Sequence, residues 1–331
     1  IWDLSILERV LIAGRAVWFY AAKLVWPVEL SFNYERWVVD TGAWWQYLYP
    51  LGVVGVVSGL WLVRGRIGRG PLVAVLFFIG TLAPTLGFLN VYFFRYSFVA
   101  DHFQYIACLG LFALASAWLA KRFLDVSPGR QRVGLVAVGL ALLLLGVLSW
   151  RQTRTYERLE SLCLDTLSKN PASWLASNNL GNIYMDRGEL QRALPFLELA
   201  EQIAPTYFET PLNLAILKMN LGRYDEAIGH AARAIKLVPG YAQGYQHLGD
   251  ALQRSGRIDE SISWYRQALE RDPDSTKAMV GLGSALAKMG QIDEAVAVLR
   301  VAVARESENI VALTNLGIAL AAACLLYTSP S

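Results

Sequence analysis

Four glycines in the second half of the chain lie 34 residues apart, at Gly188, Gly222, Gly256 and Gly290. Small residues recur in the same phase, at Ala193, Ala227, Ser261 and Ala295, and again at Ala200, Ala234, Ala268 and Ala302. A fixed period of this length indicates one short unit repeated along the chain, in which each unit covers its apolar face by stacking on its neighbours. The second half is therefore predicted to be a solenoid.

The residues around each glycine predict a pair of helices. A left-handed glycine ends the first helix, and Pro171, Pro205, Pro239 and Pro273 stop the second helices at the same spacing. A helix pair of 34 residues is typical of the tetratricopeptide repeat (TPR). The predicted repeats are 174–207, 208–241, 242–275 and 276–309, with a partial fifth at 310–323 and a connecting helix over 151–173.

The first 150 residues contain four long stretches without Asp, Glu, Lys or Arg. A membrane-spanning helix needs about 20 mostly apolar residues, and backbone groups in lipid must be hydrogen-bonded within the helix. We therefore expect spans at 43–63, 71–90, 103–120 and 133–150. The predicted fold class is all-α: a polytopic transmembrane helical bundle over 1–150, followed by a TPR α-solenoid.

A fifth helix is predicted over 6–26, but its polar residues Glu8, Arg9, Arg15 and Lys23 fall on one face. It can lie in the membrane interface as an amphipathic anchor, or it can span and turn that face toward the interior of the bundle. The sequence favours spanning, with Trp18 and Trp26 at the interface.

The basic residues of the short loops predict the topology. Two loops carry Lys and Arg and are expected in the cytoplasm, one with Arg64, Arg66 and Arg69 and the other with Lys121, Arg122, Arg130 and Arg132. The loops 27–43 and 90–102 then face outward, and so do the repeats. This predicts a multi-pass membrane protein, in contact with lipid, with its TPR domain on the extracytoplasmic side.

The outward loops contain the most reactive side chains of this half. Arg95 is a candidate for holding a donor phosphate, Asp101 and His102 for proton transfer, and Glu35 for a further donor contact. The alternative is that all four are ordinary interfacial residues and ion-pair partners.

The first helices of the repeats carry a polar, amide-rich face. Asn179, Asn213 and Asn315 share one repeat position, with His247 and Gly281 at the same position between them. Asn182 and Asp250 lie on the same face. This partial column resembles the asparagine ladder of the nucleocytoplasmic O-GlcNAc transferase and predicts a protein or peptide partner; solvated polar residues are the alternative. The face has no basic stripe with aromatics, so no nucleic acid is expected.

Other chemistries have no signature in this sequence. It contains no phosphate-binding loop, dinucleotide fingerprint or metal-binding HExxH or CxxC motif. The three cysteines, Cys108, Cys163 and Cys324, suggest neither a disulfide framework nor a metal site. We therefore expect no metal and no cofactor, and the residues identify no catalytic group.

The order of the two halves, with the segments 26–31 (WPVELS) and 95–105 (RYSFVADHFQY), resembles bacterial relatives of the TMTC family. TMTC proteins are TPR-containing O-mannosyltransferases with a GT-C type membrane domain. The resemblance implies an inverting transferase of a bacterial inner membrane that moves a sugar from a polyprenyl-phosphate donor to a protein acceptor held by the repeats. The family's catalytic acid lies in an earlier outward loop, which is expected upstream of Ile1, so no catalytic residue is assigned here.

Two other functions fit the same sequence. One is a non-catalytic, membrane-anchored TPR scaffold for protein–protein interaction. The other is an O-antigen ligase-like enzyme with TPRs, although the loop 90–102 is short for that class. Residues 324–331 (CLLYTSPS) resemble a translated sequencing adapter, and we expect the chain to be a fragment of a longer protein.

Overall fold

The computed structural model describes residues 4–89, 94, 96–124 and 127–328 of the chain. These residues form fifteen α-helices and no β-strand. The chain divides into two compact units, Ile1–Ala176 and Ser177–Ser331. The all-helical class predicted from the sequence is confirmed for the described residues.

The first unit contains six helices and the start of a seventh. They are α1 (Ile6–Val25), α2 (Leu48–Ile67), α3 (Gly70–Leu82), α4 (Cys108–Leu124), α5 (Pro128–Thr155), α6 (Leu159–Lys169) and α7 (Trp174–Asp186). The predicted helix at 71–90 ends early, at Leu82, because Pro84 follows and Gly87 has a φ of 98°. The connecting segment 151–173 holds the end of α5 and the whole of α6.

Helix α1 is the core of the first unit. Ala16 and Tyr20 are fully buried, and they pack with Phe78 and Leu82 of α3. The start of α2 meets the middle of α1: the Trp18 indole donates to the Tyr49 carbonyl, and a Cβ on Gly14 would lie 2.5 Å from Pro50. Two consecutive spans joined by an outward loop would instead place the start of α2 beside the end of α1. Both alternatives for α1, spanning and interfacial, stay predictions.

The segment between α1 and α2 runs back along α1. Tyr34 packs on Phe19 with ring centroids 4.9 Å apart, and the Arg15 guanidinium lies 4.4 Å from the centre of the Trp37 ring. The far side of the segment binds α6 and the residues after it. Lys169 Nζ donates to the Leu30 carbonyl at 2.7 Å, and Asn33 Nδ2 donates to Ser173 Oγ at 3.1 Å. The segment 27–43 and the chain that follows α5 therefore lie on the same side of this unit.

Two helical stretches of the described chain are long and apolar enough to cross a membrane, Trp44–Ile67 and Gly129–Thr155. Only 6% of the apolar window of the first and 0% of that of the second is buried, so neither is a core helix of this chain. Length and composition alone are weak support for a span, and α3 and α4 are shorter. The polytopic bundle remains a prediction.

The second unit continues α7 and adds α8 (Leu190–Ile203), α9 (Glu209–Asn220), α10 (Tyr224–Leu237), α11 (Ala242–Arg254), α12 (Ile258–Arg271), α13 (Thr276–Lys288), α14 (Ile292–Arg305) and α15 (Ile310–Thr328). The phased glycines have positive φ, as predicted, between 74° and 88°. Each begins a turn in which the next residue donates to a carbonyl five residues back, for example Arg257 N to Leu252 O at 2.9 Å. The small residues Ala193, Ala227, Ser261 and Ala295 are all fully buried.

One charge is buried in this repeat array. The Lys218 side chain is 3% exposed, and its ammonium group lies 3.0 Å from a carboxylate oxygen of Glu198 and 3.0 Å from one of Glu226. Glu198 lies on α8 and Glu226 on α10, so the lysine links the second helices of two neighbouring repeats. Both carboxylates are partly exposed, which lowers the desolvation cost of the cluster.

Two helical glycines give a matched test of the packing. Gly281→Ala should lower the free energy of unfolding by about 1–3 kcal/mol, because its new Cβ would lie 2.5 Å from the Tyr265 ring. Gly229→Ala, where a Cβ meets nothing within 4 Å, should raise stability by about 0.5–1 kcal/mol. Unfolding of the full chain in detergent, followed by far-UV circular dichroism, measures the stability of both variants against the wild type. Equal effects of the two substitutions would contradict this packing.

Candidate functional site

The first helices of successive repeats contact one another, α9 with α11, α11 with α13, and α13 with α15. We call the surface that α7, α9, α11, α13 and α15 form together the first-helix face. The predicted peptide-binding residues Asn179, Asn182, Asn213, His247, Asp250 and Asn315 all lie on these helices.

A buried tyrosine from a second helix reaches the first-helix face. The Tyr265 side chain on α12 is fully buried, and its hydroxyl lies 2.7 Å from Asp250 Oδ1 and 2.9 Å from Gln253 Oε1. Gln253 Nε2 donates in turn to Ser284 Oγ on α13, at 3.1 Å. Burial and the Asp250 carboxylate raise the pKa of Tyr265, so the phenol keeps its proton and remains a donor. These hydrogen bonds hold Asp250 and Gln253 of the third repeat and Ser284 of the fourth in position.

The same tyrosine explains the gap in the amide column. A Cβ on Gly281 would lie 2.5 Å from the Tyr265 ring, and a Cβ on Gly249 would lie 2.8 Å from it. Real Cβ atoms do not approach a ring this closely, so the ring excludes a side chain at both positions. Glycine therefore interrupts the asparagine position in the fourth repeat because a neighbouring repeat fills the space.

The asparagine of the second repeat is held in place by a buried amide of the first. Asn178 is 4% exposed, and its Oδ1 accepts from Asn213 Nδ2 at 3.1 Å and from Thr210 Oγ1 at 3.3 Å. With its amide nitrogen engaged, Asn213 presents Oδ1, for which the described residues offer no hydrogen-bond donor. A carbonyl oxygen of this kind can accept from the backbone N–H of a bound chain.

The other predicted amides remain available. Asn179, Asn182 and Asn315 are half-buried, and their side chains make no hydrogen bond within the described part of the chain. Half-burial limits their rotamers, so a bound partner has less side-chain entropy to remove. These amides can each offer one donor pair and one acceptor.

The structure brings the two predicted residues of the third repeat together. His247 Nδ1 lies 3.6 Å from Asp250 Oδ2, which is beyond hydrogen-bonding distance, and Gln246 Nε2 lies 3.4 Å from the same oxygen. His247 Nδ1 is buried and has no hydrogen-bond partner among the described residues. Asp250 thus accepts hydrogen bonds from Gln246 and Tyr265. Among the described residues, no group accepts from or donates to His247 Nδ1.

In the first unit, Asp101 pairs with a residue that the sequence analysis did not single out. Tyr34 OH donates to Asp101 Oδ1 at 2.8 Å. Burial raises the pKa of Asp101 above the usual aspartate range, while the bond from Tyr34 and the charges of Lys23 and His102 act against the rise. Burial and the Asp101 carboxylate also raise the pKa of Tyr34. A partly buried carboxylate held by a phenol suits proton exchange or the binding of a hydroxyl group.

Three of the four predicted donor-side residues lie in the described part of the chain, and they do not all line one cleft. Glu35 is exposed and lines a separate cleft with Arg15 and Trp45. The His102 ring packs edge-on to Phe103, with centroids 4.5 Å apart. Arg95 lies outside the described residues.

A family model for the tetratricopeptide repeat matches residues 160–208, 212–276 and 247–310. This confirms the predicted repeat class, and the chain carries TPR repeats over the matched segments. No curated protein matches the chain. Nothing in these comparisons supports the expected relationship to the TMTC family.

Several solved TPR structures resemble the chain. The MamA protein is 26% identical, with a TM-score of 0.43, over 47% of this chain and 94% of that one. A thermophilic TPR protein of Thermus thermophilus, TTC0263, is 22% identical, with a TM-score of 0.44, over 54% and 97%. The first TPR of Spaghetti (RPAP3), bound to the HSP90 peptide SRMEEVD, is 21% identical, with a TM-score of 0.34, over 35% and 93%.

The raised pKa of Asp101 predicts a pH-dependent effect of Asp101→Asn. A carboxyl whose pKa is higher in the folded state loses folded-state stability as the pH rises from its unfolded pKa, about 3.9, through the raised value. Asparagine carries no charge and can still accept from Tyr34. The variant should therefore unfold at a higher temperature than the wild type near neutral pH, by about 2–4 °C for each kcal/mol that the carboxylate costs.

Thermal unfolding followed by circular dichroism from about pH 3 to about pH 7 measures this difference. The difference in midpoint between Asp101→Asn and the wild type should disappear below the pKa of aspartate in the unfolded chain, about 3.9. The exposed Glu35→Gln is the matched control and should change the midpoint little at any pH. A difference for Asp101→Asn that stays constant across the range would contradict the assignment.

Proposed function

We propose that this chain is a TPR scaffold whose first-helix face binds an extended segment of a partner protein. The observation that carries the proposal is the row of half-buried amides at one repeat position, Asn179, Asn213 and Asn315. Asn213 donates to Asn178 but keeps its Oδ1 available, and the other two side chains make no hydrogen bond within the described residues. An amide pairs with the backbone of a bound chain regardless of its side chains. This is the property that a general peptide-binding scaffold requires.

The spacing of the first helices also suits an extended chain. Contacting helices lie about 8–10 Å apart, and an extended chain advances about 3.3 Å per residue. Successive repeats would thus meet the bound segment roughly every three residues. A helical ligand advances about 1.5 Å per residue and would match the same spacing only about every six residues.

Sugar transfer from a polyprenyl-phosphate donor, which the family resemblance implied, has no further observation in its favour. Asp101 pairs with Tyr34, whereas Glu35 lines a different cleft, so the described candidates do not converge on one donor site. The ligase-like alternative rests on no structural feature either. The scaffold is therefore the function that we propose.

The amide row can be tested by peptide selection on the full chain in detergent. Random peptides of twelve residues displayed on phage are selected on the wild type, and the enriched peptides are titrated by fluorescence anisotropy. The triple variant Asn179→Ala, Asn213→Ala and Asn315→Ala should bind them more weakly by at least about tenfold, since each lost hydrogen bond contributes about 0.5–1.5 kcal/mol.

The control is Gln202→Ala, which removes an exposed amide from the second helix α8. It should leave the affinity unchanged. Peptides that bind the wild type and the triple variant equally well would refute the amide row as the binding surface, and failure to enrich any peptide would refute the scaffold.

We further propose that α2 and α5 anchor the scaffold in a membrane. Arg64 and Arg66 lie at the end of α2, and Arg130 and Arg132 lie at the start of α5. The preference of basic residues for the cytoplasmic side assigns both of these ends to the cytoplasm. Leu30, in the segment before α2, accepts from Gln152 near the end of α5. The contact supports placing the segment before α2 and the end of α5 together on the other side, which agrees with repeats outside the cytoplasm.

Anchoring predicts that the chain stays in the membrane pellet after extraction at alkaline pH. In a background without cysteine, Ser255→Cys in the repeats should react with an impermeant maleimide added to intact cells, and Arg66→Cys should react only after lysis. Extraction into the supernatant would refute the anchor. Labelling in the reverse order would refute the orientation.

A further inference from the structure

A cleft of about 410 Å³ opens between the middle of α1 and the segment 35–46. Its charged and aromatic lining consists of Arg15, Glu35, Arg36, Trp37, Asp40 and Trp45. This volume falls in the range of about 300–1,000 Å³ that small-molecule sites occupy. Neither the repeats nor the Asp101 pair uses this cleft.

The two arginines of the cleft are positioned by aromatic rings. The Arg15 guanidinium lies 4.4 Å from the centre of the Trp37 ring and 5.9 Å from that of Tyr49. The Arg36 guanidinium lies 4.8 Å from the centre of the Phe98 ring. Stacking occupies a face of each guanidinium and leaves its N–H edge available, which is the edge that binds phosphate.

Neither arginine has a hydrogen bond or an ion pair in the part of the chain that the structure describes. The two acids of the lining form no ion pair with either arginine among the described residues: Asp40 Oδ1 accepts instead from the backbone N–H of Gly42 at 2.8 Å, and Glu35 is exposed. Partial burial lowers the pKa of Arg36, as expected for a cation without a nearby anion. Two half-buried cations that are not engaged in an ion pair favour the entry of an anion.

The cleft lies at the start of the candidate span Trp44–Ile67. Trp44 and Trp45 mark this end, with 73% and 44% of their surfaces exposed. Exposed tryptophans at the end of an apolar helix are typical of the level of lipid headgroups. The opening of the cleft is thus placed where phosphate groups are concentrated.

We propose that this cleft binds a phosphate ester, held by the guanidinium groups of Arg15 and Arg36 and flanked by the indole of Trp45. The phosphate can belong to a lipid headgroup or to a soluble anion, and the recognition chemistry is the same in both cases. The site is independent of the peptide-binding face. Its loss would leave the repeats functional, and loss of the amide row would leave this site intact.

Native mass spectrometry of the full chain in detergent tests the site. The probes are a short-chain phosphatidylglycerol, the matching diacylglycerol without phosphate, and inorganic phosphate. Phosphatidylglycerol should bind in one copy with preference over diacylglycerol, and Arg15→Gln and Arg36→Gln should each weaken binding by about tenfold. If inorganic phosphate displaces phosphatidylglycerol and its own binding depends on the same two arginines, the site takes soluble phosphates. If inorganic phosphate does not compete, the site takes a lipid headgroup.

Arg64→Gln is the matched control, because Arg64 also stacks on a tryptophan, Trp61, at 4.0 Å and lies at the other end of α2. It should leave the affinity unchanged. Arg36→Gln decides the outcome alone if Arg15→Gln fails to fold, as judged by circular dichroism. Equal binding of diacylglycerol, equal weakening in Arg64→Gln, or no binding of any phosphate-bearing probe would overturn the proposal.

Discussion

Close contact between helices at small residues is the constraint on which the repeat half depends. Ala200 and Ala268 are fully buried, as are the phased residues Ala227 and Ala295, so no larger side chain separates the paired helices. Each pair then exposes an apolar side that only the next pair can cover. Helix α15 shows this directly: Ile310, Val311 and Ile318 are 77%, 60% and 61% exposed, and no second helix covers them in the described chain. Stability in this array is shared between neighbours.

The same constraint shapes the first-helix face. Tyr265 occupies the position that Leu197 and Leu299 hold in the first and fourth repeats, but its hydroxyl extends past the glycines to Asp250. A packing residue therefore orients Asp250 on the first-helix face, and the same ring leaves no space for a side chain at Gly281. Lys218 similarly replaces an apolar packing residue and finds Glu198 and Glu226. Departures from the repeat pattern in the core are compensated by polar contacts, and one of them lies directly under the face.

The period made most of the repeat half predictable. It gave the helix pairs, the left-handed glycines and the shared position of Asn179 and Asn213, because these features recur every 34 residues. The first unit lacks such a period, and its contacts join distant residues. Asp101 meets Tyr34 across 67 positions, and no spacing rule predicts that pair. Pro84 indicates that α3 ends at Leu82. The prediction of a helix over 71–90 followed the uninterrupted run of apolar residues instead.

Amides that bind a backbone give affinity without selectivity, so selectivity in such a groove must come from neighbouring charges. The exposed charges of the first helices are unevenly distributed: Asp186 and Glu209 belong to the first two repeats, whereas Arg254, Lys277 and Lys288 belong to the third and fourth. Surface charges contribute little to affinity one at a time, but they orient an approaching partner and penalise one of the wrong polarity. A bound segment with one basic and one acidic end would therefore be favoured with its basic end on the first two repeats. In the reverse direction, like charges would lie opposite each other at both ends.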